Sequence, residues 1–182
     1  MKDFIGGMVV NTMFIDRLIE KIKEKNNPSV VGLDPNIGHI PDMVKEPVFK
    51  EYGKNMKGAS EVLLSFNKRI IDAVYDIVPA VKPQLAYYEM YGIDGMKAFD
   101  ETIRYAKSKG LLVIADAKRN DIGSTAEAYS SAFIGKTKID DNIKEAVFDA
   151  DAVTVNPYLG FDSIKPFIND CKEYDKGIFV LV

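Results

Sequence analysis

The chain predicts an α/β fold, a parallel sheet with helices packed over it, and three observations support this. Short apolar runs at 29–34, 80–88, 111–118, 151–157 and 177–182 alternate with segments of helical periodicity. Four of those runs end in polar residues on a side-chain face that begins small or apolar. The composition, 47% apolar and 28% charged over 182 residues, is that of one globular domain with a core. A doubly wound sheet and a (β/α)8 barrel both fit this order of elements. Neither GxGxxG nor GxxxxGK[ST] occurs, so the nucleotide-binding versions of such folds have no direct support.

Residues 1–12, MKDFIGGMVVNT, run to a second methionine, Met13, where a helical pattern begins. They read as an N-terminal extension or alternative start, with a short ordered arm as the other reading. Ile15, Leu18, Ile19 and Ile22 share one helical face, and Asn26-Asn27-Pro28 ends that helix. SVVGLD (29–34) is read as a buried strand. Pro35 to Gly58 holds Gly38, Pro41, Pro47 and Gly53 and reads as a long loop with one short helix. Ser60 has the chemistry of an N-cap for a helix whose face is Val62, Phe66, Ile70, Ala73, Val74 and Ile77.

AVKPQLAYY (80–88) is the second strand, but Pro83 lacks an amide hydrogen. The strand is therefore bulged there or ends near Lys82. Residues 94–109 form a helix closed by Gly110. LLVIADAK (111–118) is the clearest strand. Residues 124–133 and 139–148 show weaker helical patterns. DAVTVNP (151–157) is a strand, 162–174 a helix and GIFVLV (177–182) a last strand.

The bulk numbers exclude several functions. A net charge of −3 without a clustered basic surface gives no nucleic-acid footprint. A single histidine, His39, rules out a multi-histidine metal site within one chain. The single cysteine, Cys171, leaves no internal disulfide and fits a reducing cytoplasm. The apolar runs are far shorter than a membrane span.

Side chains alternate across a strand, so one face carries Leu112, Ile114, Asp116 and Lys118. The corresponding faces elsewhere are Ala80, Lys82, Gln84 and Ala86; Ala152, Thr154 and Asn156; and Val30, Gly32 and Asp34. Ligands of parallel α/β folds sit at the C-terminal ends of the strands. Asp34, Lys82, Asp116, Lys118 and Asn156 are thus aimed toward one place. One acid or lysine at a strand end is more often a solvated loop residue; the convergence of several shifts the odds.

The stretch DAKRNDIGST resembles orotidine 5′-phosphate decarboxylase. Asp116, Lys118, Asp121, Ile122, Gly123 and Thr125 match the family pattern Asp-x-Lys-x-x-Asp-Ile-Gly-x-Thr. VGLDPN with Asp34, VKPQLAYYE with Lys82, TVNPYLG and GIFVLV resemble further strands of that family, in order, from about Met13 to Val182. The long loop after LDPN resembles the family's longer, bacterial branch.

The resemblance implies a (β/α)8 barrel, of which residues 13–182 supply about five strands. The chain therefore reads as a partial barrel, a fragment or a product that ends early, without the segments that grip the substrate phosphate. The implied reaction is conversion of orotidine 5′-phosphate to uridine 5′-phosphate in pyrimidine biosynthesis, with no metal and no organic cofactor.

Lys118 is then the proton donor at C6, with Asp116 roughly 7 Å along a regular strand holding it. Lys82 and Asp121 complete an alternating array. Asp34 binds ribose, and Ile122, Thr125 and Asn156 complete the substrate site. Asp121, Ile122 and Thr125 are implied to serve a partner subunit, so a cytoplasmic homodimer with shared sites is expected. Two alternatives stay open: a related sugar-phosphate decarboxylase or aldolase that needs magnesium, and an inactive truncated chain. Arg119 reads as a solvated or supporting charge, His39 as exposed, and Cys171 as packing beside Ile164, Phe167 and Ile168.

Overall fold

The computed structural model describes residues 13–182 in full. Before Met13 it describes the backbone of β1 (Phe4–Ile5), which pairs antiparallel with β2 (Met8–Val9). The reading of residues 1–12 as an extension otherwise lies outside the described residues. Five strands then form one sheet, all neighbours parallel, in the order β3 (Val30–Leu33), β4 (Ala80–Pro83), β5 (Leu112–Arg119), β8 (Ala152–Val155) and β9 (Gly177–Val180).

Helix α1 (Phe14–Lys25) comes first, but its buried side differs from the expected face. Ile15 and Ile19 are exposed, while Phe14 is buried and Leu18 packs beside it. Phe14 and Leu18 cover Ala80, Leu112, Ile114 and Ala152, all from the inward faces of β4, β5 and β8. Arg17 fixes the helix there by donating to Asp151 Oδ1 and to the Asp175 carbonyl. The other faces of the same strands, Val81, Val113, Ala115, Val153 and Val155, join a separate, larger core with the helices. The period-two reading of the strands thus corresponds to two physical clusters.

Among the described residues β3 (Val30–Leu33) pairs with β4 alone and is an edge strand; Val30 is exposed, against the expectation of burial. The following loop is shorter than expected. It gives way to α2 (Asp42–Tyr52), which accommodates Pro47. α3 (Met56–Val74) starts four residues before Ser60, because Asn55 caps it by accepting the Gly58 amide. Its buried side is Val62, Leu63, Leu64, Asn67 and Ile71, while Ala73 and Ile77 face out. The buried Asn67 amide donates to Tyr88 Oη and Thr102 Oγ1, tying three helices together.

β4 (Ala80–Pro83) stops at its proline, and the chain turns into the short α4 (Ala86–Glu89). α5 (Gly92–Ser108) ends before Gly110, whose φ of 81° is the left-handed turn expected after a helix. β5 (Leu112–Arg119) and α6 (Gly123–Phe133) follow as expected. Residues 139–148 are not helical. β6 (Thr137–Lys138) pairs antiparallel with β7 (Lys144–Glu145), and Asp140 Oδ1 accepts the amides of Asn142 and Ile143 to make the turn. β8 (Ala152–Val155), α7 (Phe161–Tyr174) and β9 (Gly177–Val180) complete the chain. β9 is the second edge of the sheet, and Phe179, Val180, Leu181 and Val182 are exposed along it.

Candidate active site

Asp116 is the centre of the site. It lies on β5 where pairing with β8 departs from register: Ala115 pairs with Val153, but the next partner of β8, Val155, is Arg119. Its carboxylate is buried and accepts four hydrogen bonds. Lys82 Nζ (2.5 Å) and Gln84 Nε2 (2.8 Å) reach Oδ2; Lys118 Nζ (2.6 Å) and Thr154 Oγ1 (2.9 Å) reach Oδ1. Burial alone would push this carboxyl up. The hydrogen bonds from Lys118, Lys82 and Thr154, with the charge of Lys82, outweigh it and hold the carboxyl below the usual range.

The two lysines differ in exposure, Lys82 at 33% and Lys118 at 46% of the side chain, against 6% for Asp116. The acid is thus sunk between ammonium groups that retain access to a ligand. Regular strand geometry does not explain how Asp116 and Lys118 meet. Lys118 has φ 49°, a left-handed conformation uncommon for a non-glycine residue, and the strand arches around it. The arch brings the ammonium back onto the acid two positions earlier.

The remaining expected site residues are not brought into this cluster. Asp121 is half-buried, and its Oδ1 accepts the amide of its neighbour Ile122. Ile122 is 67% exposed, and Thr125 is exposed on the first turn of α6. Asn156 Oδ1 accepts the Tyr158 amide, an Asx turn that directs the chain away from β8. Asp34 follows β3 and is exposed.

Two contributors lay on the inward faces but were not singled out as site residues, Gln84 and Thr154. Their signal was their place beside a charged neighbour at a strand end. Of the two readings of Arg119, the supporting one fits: it is half-buried, pairs with Glu89 and lies over the rings of Tyr129 and Phe133 at 5.1 and 5.7 Å. His39 is exposed as expected. Cys171 is half-buried against the core, and burial pushes its thiol up to about 11.

Fold and site together define a barrel-type α/β chain with a preplaced lysine–aspartate–lysine array at its strand ends. Residues 61–182 match the family described as Orotidine 5'-phosphate decarboxylase / HUMPS family. The chain belongs to that family.

It is 44% identical over 169 residues to orotidine 5′-phosphate decarboxylase of Caldicellulosiruptor saccharolyticus, covering 93% of this chain and 55% of that protein. It is 42% identical over 170 residues to the enzyme of that name from Petrotoga mobilis, covering 93% and 52%. The solved structure of Leishmania donovani OMP decarboxylase superposes with a TM-score of 0.65 at 32% identity, covering 92% of this chain and 52% of that one. The chain spans about half the length of the curated relatives it matches. Its five parallel strands belong to the (β/α)8-barrel family of folds. Among the described residues no helix is long and apolar enough to cross a membrane.

Proposed function

We propose that this site serves the decarboxylation of orotidine 5′-phosphate to uridine 5′-phosphate, with residues 13–182 forming one partial barrel domain. The observation that carries the reading is the Asp116 carboxylate, buried and held between the Lys82 and Lys118 ammoniums at the strand ends.

Loss of carbon dioxide leaves a carbanion at C6 of the pyrimidine, which no adjacent carbonyl can absorb. Stabilisation must come from charges already in place, and such charges need no reorganisation during the reaction. Lys118, the more exposed lysine, stabilises the developing charge and delivers its proton to C6. Asp116 orients that ammonium and lies against the departing carboxylate. Lys82 balances Asp116, so the acid stays ionised beside a second anion. Asp34 takes ribose hydroxyls, and Asn156 shapes the pyrimidine pocket beyond its turn.

Asp121, Ile122 and Thr125 complete the site of a second copy in a homodimer. Two observations support this: the Asp121 carboxylate accepts the amide of its neighbour Ile122 and, among the described residues, forms no ion pair with Lys118, and exposed Ile122 shares a groove with exposed Leu159. A soluble nucleotide substrate fits a cytoplasmic enzyme.

The test is loss of orotidine 5′-phosphate by this chain completed with the remaining half of the C. saccharolyticus relative, with and without a chelator. Turnover indifferent to the chelator supports the reading. Turnover lost to the chelator and restored by magnesium would favour a sugar-phosphate enzyme of the same fold.

A further inference from the structure

Residues 116–118 leave the ladder with β8, while Asp116 still bridges Gln84 on the β4 side. Three residues of β5 lie between Ala115 and Arg119, where a single residue of β8, Thr154, lies between Val153 and Val155. The ladder resumes when the Asn156 amide donates to the Arg119 carbonyl. Within the arch, Lys118 sits at φ 49°, a conformation that persists in a non-glycine residue only when its surroundings fix it. Its amide does not reach a backbone carbonyl of β8; it donates to Thr154 Oγ1 at 2.9 Å. The same hydroxyl, with its lone pair so engaged, donates its proton to Asp116 Oδ1 at 2.9 Å. Thr154 is 7% exposed, and a β-branched side chain has few rotamers to choose from.

One hydroxyl therefore fixes both the backbone of the lysine and the carboxylate its ammonium meets. We propose that Thr154 is a positioning residue: its hydroxyl clamps the arch so that Lys118 presents its ammonium from a fixed direction. It touches no reacting atom. The other groups facing the arch are Lys82 and Gln84 on the Asp116 side and the Arg119–Glu89 pair behind it; none of them bonds the Lys118 amide. The catalytic part of this inference rests on the proposed decarboxylation.

Thr154→Val keeps the shape and deletes the hydroxyl; Thr154→Ser keeps the hydroxyl and deletes the methyl. In the completed chain, Thr154→Val should lower kcat about 10- to 100-fold with KM within about three-fold, as loss of a hydrogen bond to a charged group predicts. Thr154→Ser should stay within about three-fold of the parent. Hydrogen exchange at the Lys118 amide is the second readout: slow in the parent and in Thr154→Ser, fast in Thr154→Val. A Thr154→Val protein with parental kcat, or a Thr154→Ser protein as impaired as Thr154→Val, overturns the catalytic role. Equal exchange at Lys118 in parent and Thr154→Val overturns the clamp itself. If the completed parent shows no decarboxylation, the functional reading fails separately, and the exchange measurement still decides for or against the clamp.

Discussion

Lys82 on β4 and Asp116 on β5 stand 34 residues apart in sequence, yet the ammonium lies 2.5 Å from Oδ2. The pair joins neighbouring strands just past their last regular register, at Val81 and Val113. We predict that Lys82→Ala costs about 1–3 kcal/mol, because it removes a charged donor from a buried carboxylate. Urea unfolding measures this. The double variant with Asp116→Ala should lose less than the sum of the singles, since the removed groups answer each other. Strict additivity would mean that the pair contributes nothing to holding the strands in place.

Lys118 allows activity and strain to be separated. We predict that Lys118→Ala and Lys118→Gly both fall below a tenth of parental decarboxylation in the completed chain. Their stabilities should differ. At φ 49° glycine fits without strain while alanine does not, so Lys118→Gly should be the more stable by about 1 kcal/mol. Parallel thermal and activity measurements check both. Equal stability of the two variants would show that the arch relaxes once the ammonium is gone.

The sequence made the inward strand faces readable because an alternation of two needs no tertiary information. Ala80, Leu112, Ile114 and Ala152 do fall in one cluster. Which stripe of an apolar helix is buried was less readable. α1 turns Phe14 inward and leaves Ile15 out, because Arg17 anchors it to Asp151 at the foot of β8, a contact 134 residues distant. The 139–148 segment has helical spacing, but Asp140 captures the local amides first. The left-handed Lys118 had no local signal at all. Its conformation is imposed by Thr154, 36 residues later, and so was the closeness of Asp116 to Lys118.

Gly95 tests how closely α4 and α5 pack behind the site. A Cβ at this position would come 1.9 Å from the Tyr88 carbonyl oxygen, which is backbone and cannot swing aside. Tyr88 is itself fully buried and bonded to Asn67. We predict that Gly95→Ala is destabilised by about 2–3 kcal/mol, the scale of core overpacking, despite alanine's better helix propensity. A denaturation midpoint equal to the parent's would contradict this packing.

Two aspartates should respond to pH in opposite directions. Asp116 is held below its ordinary value, so it stabilises the fold above the ordinary carboxyl range. That contribution is lost as pH falls through its lowered folded value, below 3.8. Asp170 is raised, by burial first and then by Glu173 and Glu127, against the hydrogen bond from Ser130. Its folded form prefers the proton. It favours folding below the ordinary carboxyl range and loses that contribution as pH rises through its raised value. We predict that Asp170→Asn is more stable than the parent at pH 7 and loses this advantage in acid. Asparagine still accepts from Ser130 while shedding the unfavourable charge. Melting temperatures at pH 7 and pH 3.5 decide it, and an unchanged difference at the two pH values would remove Asp170 from the account.

Asp121 tests assembly. It follows the arch, stands half-buried at the entrance to α6, and spends one carboxylate oxygen on the Ile122 amide instead of on its own lysines. Exposed Ile122, Tyr158, Leu159 and Phe161 flank the same end of the sheet, an apolar surface of the kind that pairing between copies removes from water. If Asp121 completes a neighbour's site, Asp121→Ala and Lys118→Ala subunits are each inactive alone, but a mixed dimer holds one intact site. Random exchange of a two-fold dimer makes half the dimers mixed, so activity should recover to about one quarter of the parental value per subunit. The experiment is to mix the two inactive completed chains, verify mixed dimers by mass, and assay decarboxylation. Mixed dimers that form and stay inactive would place Asp121 in its own subunit's site, and the loop carrying it would then have to turn inward from the position it holds after β5.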